Sequence, residues 1–149
     1  YFARLFGMAE DQLLASIDRV CQQFGLQEFI DQKTAQLSSG QTQRANLARA
    51  FVTDPRVLIL DEPTNALDVV SGRFVQEAIV RARAESRGVL LSTHDLEEAT
   101  RLADQVALLV KGRLLDQGTP EELIARHEVP NLAELLVRLH DASLSGGAP

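Results

Sequence analysis

The chain has 149 residues, a formal charge of −6 and one cysteine, about the length of a single domain. The acidic balance offers no basic face for nucleic acid. No apolar run approaches the roughly 20 residues of a membrane helix, and the start lacks the charged and apolar zones of a signal peptide. These features point to a cytoplasmic protein. The sequence opens at Tyr1 without methionine, inside a helix-like pattern, and reads as a piece of something longer.

In chain order, the first predicted element is a helix from Tyr1 to Phe24. Leu13, Leu14, Ile17, Val20, Cys21 and Phe24 recur at three- and four-residue steps, and Gly25 is its C-terminal cap. Cys21 lies on the apolar face and reads as a reduced core residue. An irregular linker to Leu37 carries Phe29 and Ile30 as anchors. Leu37-Ser38-Ser39-Gly40-Gln41 then opens a second helix, with Ala45, Leu47, Ala48, Ala50 and Phe51 among its residues. Ser38 or Ser39 serves as N-cap, and Gly40 lets a ligand approach the backbone. A helix start with free N–H groups and a hydroxyl is an anion site. An ordinary capped helix accounts for the same residues equally well.

Asp54-Pro55 breaks the chain before Val57-Leu58-Ile59-Leu60-Asp61-Glu62-Pro63. Four apolar residues in a row read as a strand buried on both faces of a parallel sheet. Asp61 and Glu62 stand at its carboxyl end, where such sheets bind ligands. Two readings stay open: a core strand ending in a solvated acidic turn, or a site that uses the carboxylates for a cation and a proton transfer. Thr64 to Asp68 forms a turn, and a helix follows to about Glu85. Gly88 to Ser92 is a second buried strand ending in Thr93-His94-Asp95, with Asp95 and Glu98 as a capping box for the next helix. Val106–Val110 and Arg113–Asp116 form a hairpin over Lys111-Gly112. Thr119-Pro120-Glu121-Glu122 starts another helix, Asn131 to His140 is a short amphipathic one, and Ser143 to Pro149 reads as a disordered tail. His127 and His140 read as structural or surface residues. The alternation of strand and helix implies a parallel sheet with right-handed crossovers. The ends of the strands carrying Glu62 and His94 then share one edge.

Together these stretches resemble the nucleotide-binding domain of ATP-binding-cassette (ABC) ATPases over residues 1 to 126. Leu37 to Gln41 is similar to the signature motif LSGGQ, with Ser39 in place of its first glycine. Val57 to Asp61 resembles the Walker B strand, Glu62 the catalytic glutamate, Ala66-Leu67-Asp68 the D-loop and His94 the switch histidine. The residues from Ser92 to Ala99, with Lys111-Gly112-Arg113 and Gly118 to Leu123, are similar to transporter ATPase subunits. With Tyr1 to Gly7, the chain looks most like the sodium- or drug-efflux branch.

The resemblance implies an α/β fold: a partial P-loop NTPase-type parallel sheet with flanking helices. Residues 1–52 form a helical subdomain, 53–126 the core, and 127–149 a C-terminal helix and tail. ATP and Mg²⁺ are the implied cofactors. Asp61 holds the metal, Glu62 polarises the attacking water and His94 senses the γ-phosphate. Ser38, Ser39, Gly40, Gln41 and Asp68 serve the nucleotide of a second, head-to-tail domain. A membrane-spanning permease is the other implied partner, without nucleic acid, at the cytoplasmic face of the cell membrane.

A phosphate-binding loop needs G-x-x-x-x-G-K-[ST]. None of the nine glycines precedes a lysine, so the chain by itself is expected neither to hold ATP tightly nor to turn it over. A soluble ribosome-associated relative is the alternative function. The residues after His94 lack that branch's arginine and aromatics, and no coiled-coil heptads support a DNA-repair relative. A truncated, non-catalytic module is a further alternative.

Overall fold

A computed structural model describes residues 1–65 and 67–145, without the side chains of 144 and 145. Its packing divides into two units, Tyr1–Ser92 and a second from Thr93 on.

In the first unit the expected opening helix is two. Helix α1 (Phe2–Leu5) ends at Gly7 (φ +78°), and α2 spans Glu10–Gln23. Gly7 takes a left-handed conformation that ends helices cheaply only for glycine. Gly25 closes α2 in the same way, at φ +60°. Its N–H bonds to Gln22 O at 3.3 Å, and the Leu26 N–H to Cys21 O at 2.9 Å, the two bonds of a Schellman ending. The apolar stripe of α2 buries Leu13, Val20 and Cys21, while Leu14 is 72 % exposed. Of the two linker anchors only Phe29 is buried, and Ile30 stays exposed.

Helix α3 (Ser39–Phe51) packs on α2 and on α4 (Val69–Ala84). Phe24 and Phe51 meet edge to face, ring centres 5.1 Å apart, in the middle of this core. Strands β1 (Val57–Asp61) and β2 (Gly88–Ser92) pair in parallel, with Leu60 opposite Leu91 and Asp61 opposite Ser92. This is the expected α/β crossover, with α4 packed against β2. Burial corrects one expectation: β1 hides only Leu58 and Leu60, and Val57 and Ile59 are exposed. Two strands have one layer of helices to lean on, so only one face is covered.

The second unit holds α5 (Leu96–Leu102), a hairpin of β3 (Val106–Val110) and β4 (Arg113–Gly118), α6 (Pro120–His127) and α7 (Leu132–Ser145). Among the described residues β3 pairs with β4 and not with the parallel pair. Lys111 and Gly112 both have positive φ, +48° and +75°, as a two-residue hairpin turn of this hand requires. A bulge between Leu108 and Leu109 shifts the register. The unit's own core gathers Ala99, Val106, Leu108, Leu123, Leu132 and Leu135.

Thr119 and Glu122 cap α6 reciprocally, with Pro120 at the start, as expected. Asp95 caps α5 only by half of the expected box. Its Oδ1 accepts from the N–H of Glu97 and of Glu98, while Thr93 Oγ1, not Glu98, receives the Asp95 N–H. The predicted tail begins as helix: α7 runs through Ser143 to Ser145, because no glycine interrupts it and Ser143 Oγ donates to His140 O at 2.6 Å. Residues 146–149 lie outside the described residues.

Candidate active site

The site grows from the carboxyl ends of β1 and β2. Asp61 closes β1 facing Ser92, its partner in register, and Ser92 Oγ donates to Asp61 Oδ1. The chain then turns sharply. Glu62 takes a left-handed φ of +44°, a conformation that costs a side-chain-bearing residue about 1 kcal/mol or more. Its N–H is held by Ser92 twice, through the carbonyl at 3.0 Å and through Oγ at 3.2 Å. Pro63 is buried, and the Asn65 N–H returns to Glu62 O at 3.1 Å. Asp61 is exposed and Glu62 partly so.

The loop ends at Asp68, the N-cap of α4. Its carboxylate accepts from the Ser71 N–H at 2.9 Å and Ser71 Oγ at 2.8 Å. These bonds, the backbone one foremost, hold its carboxyl below the usual range. Asp68 therefore has a local task in this chain, capping its own helix.

The start of α3 lies against the same loop. Ser38 is the N-cap: its Oγ accepts from the Gln41 N–H at 3.2 Å, and the Ser38 N–H donates to Gln41 Oε1 at 2.8 Å. Gln41 is thus half of a capping box, a role the motif reading did not give it. Ser39 is exposed in the first turn. A Cβ placed on Gly40 would sit 3.5 Å from Ser71 Oγ and 3.6 Å from Asp68 Oδ2. The glycine therefore brings the helix start close to Asp68. His94 follows β2 by two residues and lies in the second unit, where it is exposed.

Two residues carry roles that their own segments do not show, Ser92 at the site and Arg44 in the core of the first unit. In the sequence Ser92 is only the last residue of a strand, and its role appears with the register that sets it opposite Asp61. Arg44 sits on α3 in the stripe of Leu47, Ala48 and Phe51, at three- and four-residue steps, and is buried with them. Its guanidinium lies between the rings of Phe29 and Phe74, 5.0 and 5.2 Å from their centres. It donates to the carbonyls of Phe24 and Gly25 at the end of α2.

Mg²⁺ is usually held by one or two carboxylates together with waters and substrate phosphates, not by a full protein cage. An exposed carboxylate at a strand end, oriented by one hydroxyl, fits that demand. No cluster of three or more metal-ligating side chains occurs among the described residues, so any such ion would depend on the phosphates for most of its ligands.

A parallel strand pair whose carboxyl edge holds adjacent acids, beside a capped helix start, is the framework of an α/β nucleotide-binding domain. Comparison narrows this. A solved structure described as the ATP-binding subunit of an ABC transporter superimposes with a TM-score of 0.83 at 28 % identity, over 93 % of this chain and 60 % of that one. The family model described as ABC transporter matches residues 5–65. The ABC transporter ATP-binding protein NatA of Bacillus subtilis is 32 % identical over 83 % of this chain and 50 % of its own length. The Nod factor export ATP-binding protein I of Paraburkholderia xenovorans is 38 % identical over 83 % and 41 %, and that of Rhizobium sp. 36 % identical over 85 % and 41 %. The family model, these relatives and the solved structure point to one description, the ATP-binding domain of ABC transporters. It spans about half the length of the curated relatives it matches.

Proposed function

We propose that this chain is the signature-to-switch part of the ATP-hydrolysing subunit of a membrane exporter. Residues 1–52 are its helical subdomain and 53–126 its catalytic core. The observation that carries the reading is the Asp61–Glu62 turn, fastened to β2 in the same unit as the capped signature helix. The similarity to two export proteins supports the direction of transport.

In this reading Asp61 holds Mg²⁺ directly or through a water. The ion, when bound, neutralises charge on the transferring phosphate. Glu62 accepts a hydrogen bond from the attacking water and later its proton. His94 donates to the γ-phosphate. Ser38, Ser39, Gly40 and Gln41 present the start of α3 to the nucleotide of a second, head-to-tail domain, where backbone N–H groups and the helix dipole favour an anion. Ser39 adds a hydroxyl where the motif has a glycine. Asp68 reaches toward the same junction while capping α4. The permease partner takes the helical subdomain, which places the subunit at the cytoplasmic face of the membrane. No helix among the described residues is long and apolar enough to cross it.

The phosphate-cradling loop is not in these residues. Calorimetry of the chain with Mg-ATP is therefore expected to show no micromolar binding, and a micromolar Kd would overturn that expectation. In a protein that joins this chain to a P-loop segment, Glu62→Gln is expected to keep ATP binding and lower kcat at least about 100-fold, the usual contribution of a general base. Turnover near the parental rate in that variant would remove Glu62 from the role of base.

A further inference from the structure

We propose that Ser92 is a positioning residue for the two acids: its hydroxyl fixes the Asp61 carboxylate and the Glu62 backbone in one hydrogen-bonded ring. This rests on the reading of Asp61 and Glu62 given above. The in-phase register puts Ser92 beside Asp61 on the same face of the sheet. Its single O–H proton goes to Asp61 Oδ1. One of its lone pairs accepts the Glu62 N–H, which it shares with the Ser92 carbonyl. A hydroxyl can do both at once because it is donor and acceptor together.

Asp61, Glu62 and Ser92 carry opposite demands. The turn at Glu62 needs a left-handed backbone, and two neighbouring acids need to be aimed at different partners. Asp61 and Ser92 are exposed, so these bonds compete with water and add little to folding stability. Their effect is on direction. With Oδ1 tied to Ser92, rotation of the Asp61 carboxylate is checked and Oδ2 becomes the better placed oxygen for a cation. With the Glu62 N–H tied twice, the Cα of Glu62 is fixed at the start of its side chain's reach. Small displacements of such groups cost large factors in rate.

The test uses a protein that joins this chain to a P-loop segment, with five variants. Ser92→Ala is expected to lower kcat about 10-fold or more while KM for ATP changes less than about 2-fold. Ser92→Thr, which keeps the hydroxyl, is expected to stay within about 2-fold of the parent in both. A second readout avoids turnover. In the Glu62→Gln background, Mn²⁺ binding in the presence of ATP, followed by electron paramagnetic resonance, is expected to weaken several-fold on adding Ser92→Ala and not on adding Ser92→Thr. Thermal unfolding of Ser92→Ala is expected to match the parent, and a purely structural role would show the opposite pattern: a lowered Tm with unchanged kcat and Mn²⁺ affinity. If the parent hydrolyses ATP and Glu62→Gln stops it, but Ser92→Ala equals the parent in kcat and Mn²⁺ affinity, the positioning role is overturned and the reading of the site stands. A parent that neither binds nor hydrolyses Mg-ATP overturns that reading, and this inference with it.

Discussion

Arg44 is the residue whose surroundings least resemble its solvent preference. Only 7 % of it is exposed, and Nε finds no hydrogen-bond partner among the described residues. What keeps it there is a set of partial compensations. Two aromatic faces attract the cation, each worth about 1–2 kcal/mol once water is excluded. The carbonyl end of α2 adds hydrogen bonds of 3.4 and 3.3 Å and the negative pole of its dipole. Gly25 is part of this arrangement, since a Cβ there would come within 2.7 Å of the Phe74 ring. Arg44→Ala leaves a cavity between two phenyl rings, and a loss of about 2–4 kcal/mol is expected in urea unfolding. Arg44→Met fills the space without bringing a charge into the interior, so it is expected to cost less than the alanine change. Equal losses for both would mean that the charge, rather than the packing, is what the site needs.

At the scale of elements, β4 and α6 are tied by an ionic contact in the second unit. Asp116 Oδ2 lies 2.6 Å from His127 Nε2, and Oδ1 accepts from Arg126 at 2.7 Å. The hydrogen bond from His127 holds the Asp116 carboxyl below its usual range, with the Gln117 N–H and Arg126 assisting. A carboxyl depressed by folding stabilises the fold at pH values above its ordinary pKa, near 4, and that contribution is lost as pH falls through the lowered value. Asp116→Asn is expected to be less stable than the parent at neutral pH. The two stabilities should converge as pH falls through that lowered value, and a difference unchanged from pH 7 to pH 2 would rule out this linkage.

The sequence showed α6 clearly, because Thr119, Pro120 and Glu122 are local signals. The turn at Lys111-Gly112 was equally legible, as were β1, β2 and the helix between them. The contact of Asp116 with His127 was not, since it depends on how a bulged hairpin meets a helix 11 residues later. Arg44 and Ser92 fall in the same group: each is an ordinary residue in its own segment and acquires its role from a partner brought by packing. The break at Gly7 was legible in principle, but the apolar pattern on either side hid it.

For the molecule as a whole, the parallel pair presents one covered face and one bare face. Val57, Ile59 and Leu90 are 64 %, 75 % and 63 % exposed, and Ile59 lies opposite Leu90 in register. Asp61 and Ser92 stand at the carboxyl end of this same face, so whatever covers it also arrives beside the acids. Burying each apolar side chain is worth about 1.5–3 kcal/mol. A face-to-face pair buries six of them, three from each copy, at most about 9–18 kcal/mol, but association also loses about 4–15 kcal/mol of rigid-body freedom and further side-chain entropy. The balance favours weak self-association over a tight dimer. Sedimentation of the chain is expected to show a mass that rises with concentration toward about 100 µM, and replacement of Val57, Ile59 and Leu90 by threonine should shift it toward monomer. Joining the chain to a P-loop segment should do the same if the added layer covers the face. A strictly monomeric parent at the highest concentration would show that this apolar face is tolerated in water, and that the sheet does not depend on a covering layer.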